Sequence, residues 1–199
     1  NPRHEKSQRT GDTKLVKYES PRRLSNRAYI ITALMPAMVL QDTTRQLIIT
    51  EGEKKTLALL QAGFPAVGLS GVWAWERGRA RDADGKGTGR RELIEDLEKI
   101  AWKGRPVVLM YDSDAATNKL IQKAETALAG ILRRAGASVR IARLPAGQDG
   151  AKVGADDFLA TIPDPAARLI ALQAALDAAV QAGAARQGFA DLPPLQAAQ

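Results

Sequence analysis

The stretch "RPVVLMYDSDAATN", residues 105 to 118, decides the fold of this chain. Four apolar residues, Val107 to Met110, run without interruption into Tyr111 and then into Asp112 and Asp114. An unbroken apolar run of this kind predicts a strand that is buried on both faces, as in a parallel sheet. Paired carboxylates at the end of such a strand are costly unless they face a positive charge. The pattern therefore predicts a cation site at the end of a central strand.

The segments on either side alternate between strand and helix. Strand patterns occupy residues 47–50, 66–69 and 138–143, and helical patterns occupy residues 53–62, 91–102 and 118–135. The apolar residues expected to face inward from the last of these helices are Leu120, Ile121, Leu128, Ile131 and Leu132. Alternation of this kind predicts an α/β fold with a mostly parallel sheet of about four strands, flanked by helices.

Charge and composition divide the chain into three parts. Residues 1–40 carry eight Lys and Arg against three acidic residues, which predicts a basic N-terminal arm with short strands. Residues 41–162 contain the alternating strands and helices and are expected to form the functional domain. Residues 163–199 begin with an alanine-rich helical pattern, Pro165 to Ala182, which predicts a packed terminal helix followed by a loose tail.

Composition excludes several classes of protein. The 199 residues include no cysteine and one histidine, so disulfides and thiolate zinc sites are excluded, and a metal would need oxygen ligands. No apolar run is long enough to cross a membrane, and no signal peptide is recognisable, so we expect a cytoplasmic protein without membrane contact. The chain begins at Asn1 rather than at a methionine, which suggests a fragment of a longer polypeptide.

Acidic side chains follow the predicted strands, at the carboxyl edge of the sheet, where parallel sheets bind their ligands. Glu51 follows the first strand, Asp112 and Asp114 follow the third, and Asp156 and Asp157 come shortly after the last. Convergent carboxylates repel one another unless a cation neutralises them. Oxygen ligands favour Mg²⁺ or Mn²⁺. Each of these residues taken alone also suits a turn or a helix cap.

Two basic regions suit a polyanion. One is the N-terminal arm, and the other is the glycine-rich stretch 77–91, with six Lys and Arg against two acidic residues. The residues predicted to bind nucleic acid are Arg22, Arg23, Arg77, Arg79, Arg81, Arg90, Arg91 and Lys152. The alternative is that these side chains only solvate flexible segments, to which glycine-rich composition also points.

The motifs in their order resemble a known family. "LIITEGEKKTLALLQAGFPAVGLSGVWAW" at 47–75, "VVLMYDSDAATN" at 107–118 and "RIARLPAGQDGAKVGADDFLA" at 140–160 are similar to the Toprim domain. More closely, they resemble the Toprim-like domain of unknown function, of the DUF3854 type, in plasmid, phage and mobile-element replication proteins. There the domain accompanies primase and helicase modules. The resemblance covers roughly residues 14–162 and implies a Toprim-like, that is Rossmann-like, fold for the catalytic domain at 41–162.

The resemblance also implies roles for individual residues. Glu51 matches the Toprim glutamate, a general acid or base or a metal ligand, while Asp112 and Asp114 match the metal-binding aspartates. Asp156 and Asp157 lie roughly where primases have a further acidic pair, which makes all five candidate metal ligands. Primases have an aspartate four residues after the glutamate, and here that position is Lys55. We expect Lys55 to hold a phosphate or to neutralise a carboxylate, which puts a second metal in doubt.

The implied function is Mg²⁺-dependent phosphoryl transfer in DNA replication, with primer synthesis by a primase-type nucleotidyltransferase as the reaction. Its catalytic residues would be Glu51, Lys55, Asp112 and Asp114. The expected partners are single-stranded DNA, nucleotides and helicase or other replication domains. Two alternatives stay open: a non-catalytic module that binds nucleic acid or nucleotide, and a Toprim nuclease that uses water as the nucleophile.

Overall fold

The computed structural model describes residues 4–6, 13–15, 25–80, 82–85 and 87–181. Strands β1 (His4–Lys6) and β2 (Thr13–Leu15) pair antiparallel as a separate two-stranded ribbon. The tail after residue 181 lies outside the described residues. Across the ranges given above, no helix is both long enough and apolar enough to cross a membrane.

A mixed sheet forms the centre of the fold. Its parallel strands are β4 (Leu47–Glu51), β5 (Ala66–Leu69), β6 (Pro106–Met110) and β7 (Ser138–Ala142). Short strands β3 (Ala28–Tyr29) and β8 (Val180–Gln181) pair antiparallel with β5 and β7. Within the described residues the sheet has six strands in the order β3-β5-β4-β6-β7-β8.

The predicted α/β class is therefore confirmed, and the architecture is compatible with a Toprim-like fold. The four expected strands are the parallel ones. The two edge strands are additional, because a strand of two residues leaves no periodic pattern to read.

Alternate residues of the parallel strands enter two separate cores, one on each face of the sheet. One core takes Leu47, Ile49, Val107, Leu109, Val139 and Ile141, and the other takes Ile48, Val108, Met110 and Ala142. All of these side chains are at least nine-tenths buried. Burial on both faces explains why the strands read as continuous apolar runs.

The helices cover both faces. They are α1 (Ala37–Gln41), α2 (Glu53–Gln61), α3 (Glu95–Glu98), α4 (Lys119–Arg134), α5 (Ala155–Ala160) and α6 (Pro165–Asp177). Leu128 and Leu132 of α4 pack in the first core, and Phe158 of α5 and Leu172 of α6 pack in the second. Helix α4 begins where expected, because the Asn118 side chain accepts hydrogen bonds from the first turn.

Three details differ from the sequence prediction. The pattern at 91–102 forms a helix only at Glu95–Glu98, because Leu93 pairs instead in a β-bridge with Glu76, although its apolar residues are buried as expected. Leu120 is 67% exposed, since it lies a quarter-turn away from the buried face that Ile121 shares. The terminal helix ends at Asp177 rather than near Ala182, because the chain turns back to form β8.

Arg105, at the start of the quoted stretch, is fully buried and joins the first helix to the sheet. Its guanidinium donates to the carbonyl oxygens of Val39 at 2.5 Å, Leu40 at 2.7 Å and Arg45 at 3.2 Å. Burial lowers the pKa of Arg105 from its ordinary value. The carbonyls at the end of α1, which have no partner within the helix, are thereby satisfied from the neighbouring strand.

Candidate functional site

The Glu-Gly pair ends one strand and starts one helix within two residues. Glu51 is the last residue of β4, and Gly52 caps α2. Gly52 has φ +94° and ψ 152°, a backbone conformation that is essentially restricted to glycine. Its N–H donates to the carbonyl oxygen of Leu69 at 2.7 Å, which ties the turn to the next strand. Glu51 is therefore fixed at the carboxyl edge of the sheet.

Asp112 and Asp114 lie at the same edge, just beyond the end of β6. Asp112 is 3% exposed, while Asp114 is partly exposed in the short 3-10 helix Ser113–Ala116. Strands β4 and β6 are parallel neighbours, so Glu51 lies within electrostatic reach of both aspartates. The structure thus brings together the three carboxylates that the sequence places at successive strand ends.

Two lysines share the buried Asp112. Lys55 Nζ lies 3.1 Å from Asp112 Oδ1, and Lys152 Nζ lies 2.8 Å from Asp112 Oδ2. Lys152 also lies 3.3 Å from Asp114 Oδ2. The Lys55 side chain is 20% exposed and that of Lys152 is 51% exposed, so neither side chain is fully buried. We name these residues, with Glu51, the Asp112 cluster.

The loop that carries Lys152 is held against the loop that carries the aspartates. Ser113 N donates to the Val153 carbonyl at 2.9 Å, and Val153 N donates to Ser113 Oγ at 2.9 Å. Next to this contact, Gly154 leaves space for the Lys55 stem: a Cβ on Gly154 would lie 2.3 Å from Lys55 Cε. Both lysines are therefore positioned by one short segment, residues 152–154.

The charges in the cluster shift two pKa values. Burial raises the pKa of Glu51, and the charge of Asp112 raises it further, against the opposing effect of Lys152 and Lys55. Burial acts to lower the pKa of Lys152, but its hydrogen bond to Asp112 and the charge of the two aspartates together raise it above the ordinary value. Lys152 is thus held as an ammonium ion, and Glu51 is suited to take up a proton.

Asp156 and Asp157 take different positions. One oxygen of Asp156, Oδ1, is buried without a hydrogen-bond partner and would lie 2.6 Å from a Cβ on Gly154, beside the Lys55 stem. Asp157 is exposed, and its Oδ2 accepts from Gly154 N at 3.1 Å at the start of α5. The structure brings Asp156 to the cluster, whereas it uses Asp157 as a helix cap.

These contacts indicate which residues could hold a divalent metal ion. In the described part of the chain, no three acidic residues lie close enough together to form a protein cage for a metal. However, Asp114 Oδ1 is buried and accepts no hydrogen bond, while Asp112 Oδ1 is paired only with Lys55. Among the described residues, the carboxylates of Glu51, Asp112 and Asp114 also outnumber the ammonium groups of Lys55 and Lys152. The residues fit a Mg²⁺ held by one or two carboxylates together with substrate phosphates, as Mg²⁺ usually is.

The predicted nucleic-acid residues separate into three groups. Lys152 lies in the Asp112 cluster. Arg77, Arg79 and Arg91 surround a cavity in the loop after β5, and Arg90 is exposed. The remaining candidates, Arg22, Arg23 and Arg81, lie outside the described residues.

Three features of the site were not predicted. They are the ion pair between Lys152 and Asp112, the hydrogen bond between Val153 and Ser113, and the space that Gly154 leaves for the Lys55 side chain. The only sequence signal for them was the motif "KVGADD" at 152–157, in which a glycine separates a lysine from an acidic pair. Trp73, which lines the cavity near the arginines, was likewise missed.

The chain resembles known proteins over part of its length. A model of the family described as "Domain of unknown function (DUF3854)" matches residues 37–163, more than half of the chain. An uncharacterized protein of Picosynechococcus sp. is 34% identical over 105 residues, which cover 52% of this chain and 10% of that protein. The match therefore spans only a small part of the relative's length. Because the family model matches more than half of the chain, the chain belongs to the DUF3854 family.

Proposed function

We propose that this domain carries out Mg²⁺-dependent phosphoryl transfer on nucleotides bound at the Asp112 cluster, as part of a DNA replication protein. The observation that carries the proposal is the pair of partly exposed lysines seated on one buried aspartate beside Glu51, at the carboxyl edge of the sheet. Ligands of α/β sheets bind at this edge. The resemblance to Toprim domains and to replication proteins supports the same assignment.

The lysines would bind phosphate by exchange of one anion for another. Lys55 and Lys152 already point their ammonium groups at carboxylate oxygens, at 3.1 Å and 2.8 Å. A phosphate oxygen offers the same charge and the same hydrogen-bond acceptor. Since both lysine side chains are partly exposed, we expect a nucleotide phosphate to take the place of the aspartate as their partner.

Asp112 and Asp114, released from the lysines, would then hold Mg²⁺ together with the phosphates. When bound, Mg²⁺ polarises a phosphoryl oxygen and spreads the charge of the transition state. Glu51 would accept the proton of the attacking hydroxyl group. Its raised pKa brings it closer to the neutral range in which a general base is effective.

Primer synthesis is the reaction that we propose, with single-stranded DNA as template and ribonucleotides as substrates. The test incubates the chain with single-stranded DNA, ribonucleotides and Mg²⁺ or Mn²⁺, with the label on the ribonucleotide in one reaction and on the strand in another, and resolves the products on a gel. Labelled short ribonucleotide chains support priming, and shortened labelled strands indicate the nuclease alternative. An Asp112→Asn, Asp114→Asn double variant is the control, since it should lose either reaction.

A non-catalytic binding module is the second candidate. The observation that favours it is that Lys55 and Lys152 both pair with Asp112, so that the site offers two ammonium groups to a phosphate. The same incubation decides, because a binding module retains the labelled strand in a gel-shift assay but neither extends nor cuts it. Helicase or other replication domains, as partners, would belong to a longer polypeptide, and the small share of the Picosynechococcus relative that matches is compatible with this.

A further inference from the structure

A second candidate site lies in the loop between β5 and α3, separate from the Asp112 cluster. It is a cavity of about 330 Å³, within the size range of small-ligand pockets. Its lining includes Trp73, Glu76, Arg77, Arg79, Gly87 and Arg91. We propose that this cavity holds an unpaired nucleotide of single-stranded nucleic acid, with its base stacked on Trp73 and its phosphates on the arginines.

The aromatic wall of the cavity is rigid and already stacks on a flat group. Trp75, which is fully buried, lies beside Trp73 with ring centroids 5.9 Å apart, and so fixes the position of the Trp73 indole. The Arg91 guanidinium lies over the Trp73 ring, 4.6 Å from its centroid. A nucleobase is also flat and stacks on indole rings, so we expect it to replace the Arg91 guanidinium on this face of Trp73.

The arginines are preorganised by one shielded carboxylate. Glu76 is paired with both Arg79 and Arg91, and its side chain is 13% exposed. Arg77 donates to Glu98 at 2.6 Å and remains 43% exposed. Arg79 and Arg91 share the single negative charge of Glu76, which leaves one positive charge at that pair, whereas Arg77 is compensated by Glu98 and lies 3.9 Å from Glu92. The arginines are therefore arranged to bind an anion without first having to be ordered.

Hydrogen bonds between its two sides hold the loop in this form. Arg77 N donates to the Glu92 carbonyl at 2.9 Å, and Thr88 N donates to the Ala80 carbonyl at 2.8 Å. Arg79 donates to the Gly87 carbonyl at 2.9 Å. A Cβ on Gly87 would lie 2.8 Å from the Arg79 guanidinium, so the glycine permits this close approach.

The cavity and the Asp112 cluster belong to the same edge of the sheet. Val72, the residue before Trp73, packs against the buried cluster of Tyr111, Ala115 and Ile121, which flanks the two aspartates in sequence. The loop that lines the cavity therefore begins beside the segment that carries the aspartates. This inference rests on the proposed function in one respect, which is that the chain binds nucleic acid. Unpaired strands are favoured over duplex because a base inside a duplex is already stacked on its neighbours.

Intrinsic fluorescence tests the proposal without any variant. The chain has three tryptophans, and Trp75 and Trp102 are 0% and 6% exposed, whereas Trp73 is partly exposed and lines the cavity. Titration with oligothymidine should quench the fluorescence of Trp73. An abasic oligonucleotide of the same length, which has the phosphates but no bases, should bind without this quenching. Equal quenching by both oligonucleotides would overturn the stacking proposal.

Variants separate the base contact from the phosphate contact. Trp73→Leu should weaken oligothymidine binding by about tenfold and leave binding of the abasic oligonucleotide unchanged, while Trp73→Phe should retain most of the affinity. Arg77→Ala should weaken both and reduce the dependence of binding on salt. The control is Arg134→Ala, since Arg134 is exposed at the end of α4, at the opposite edge of the sheet.

The outcomes distinguish this inference from the proposed function. If Trp73→Leu binds both oligonucleotides as the wild type does, the cavity is not a stacking site, even if priming is observed. If the wild type binds the base-containing strand through Trp73 but shows no reaction, the cavity stands and the proposed catalysis fails. A circular dichroism spectrum and a urea unfolding curve for each variant establish that it is folded.

Discussion

Ser113 and Val153 are joined by two hydrogen bonds, each of 2.9 Å, between the loop after β6 and the loop before α5. This contact sets the distance between the aspartates, which flank Ser113, and Lys152, which precedes Val153. We predict that Ser113→Ala removes the bond to Val153 N and lowers the free energy of unfolding by about 1 to 2 kcal/mol. It should also weaken pyrophosphate binding, because Lys152 is less well placed. Urea unfolding and titration calorimetry measure the two effects, and unchanged values in both would contradict the prediction.

Lys55 offers a direct test of the phosphate site. Lys55→Ala should reduce pyrophosphate affinity by about 1 to 3 kcal/mol, the range for loss of a charged hydrogen bond. Lys54→Ala is the matched control, since Lys54 is the exposed neighbour on the same helix. Lys55→Asp, which restores the residue type of the primases, should raise the number of bound Mn²⁺ ions and weaken pyrophosphate binding when metal is scarce. Equal affinity in Lys55→Ala and Lys54→Ala would make Lys55 a surface lysine.

Gly154 gives an independent means of moving Lys55. A Cβ at this position would lie 2.3 Å from Lys55 Cε and 2.6 Å from Asp156 Oδ1. We expect Gly154→Ala to fold, because the atoms that must move belong to side chains, but to displace Lys55 from Asp112. Pyrophosphate affinity should fall as it does in Lys55→Ala. Gly71→Ala, at the same edge of the sheet with no atom near its Cβ position, should bind normally.

Metal binding should depend on both aspartates and on phosphate. Asp112→Asn with Asp114→Asn should abolish Mn²⁺ binding measured by calorimetry in the presence of a non-hydrolysable nucleotide. In the wild type, Mn²⁺ should bind more tightly with the nucleotide than without it, because phosphate draws the lysines away from Asp112. If the double variant binds Mn²⁺ like the wild type, the metal lies elsewhere.

Glu51 should make the stability of the fold depend on pH. Since burial and the neighbouring aspartates raise its pKa in the folded state, the folded chain binds this proton more tightly than the unfolded chain does. The free energy of unfolding contributed by Glu51 therefore falls as pH rises from the ordinary glutamate value through the raised one. Glu51→Gln should remove that loss. In chelator-containing buffer, the variant should gain stability over the wild type at about pH 8 but little at about pH 4.5.

Much of the fold was predictable because burial on both faces leaves strong patterns. The strand at Val107 to Met110 and the alternation around it follow from continuous apolar runs. Glu51, Asp112 and Asp114 converge because the carboxyl ends of neighbouring parallel strands must lie together. The edge strands, at two residues each, fall below the length at which periodicity is informative.

The rest depended on loops, where spacing in sequence does not give spacing in space. The sequence predicted that Lys152 contacts nucleic acid. Its ion pair with Asp112 arises only because residues 152–154 are hydrogen-bonded to Ser113, which the sequence does not reveal. The motif "GVWAW" contains two tryptophans that the sequence does not distinguish. Trp75 is fully buried, as aromatic residues in apolar segments usually are, whereas Trp73 is partly exposed. Ion pairs across 15 residues, such as that of Arg91 with Glu76, have no local signal.

Arg105 has a practical consequence for dissecting this protein. Its guanidinium is buried and donates hydrogen bonds to carbonyl oxygens, two of which belong to residues 39 and 40. A recombinant fragment that starts at β4, at first sight a natural boundary, would strip those acceptors away and leave a buried cation without them. We expect such a truncation to be insoluble or to be digested by proteases, whereas a fragment that begins before α1 should survive. Shortening experiments on related chains should therefore start upstream of the helix.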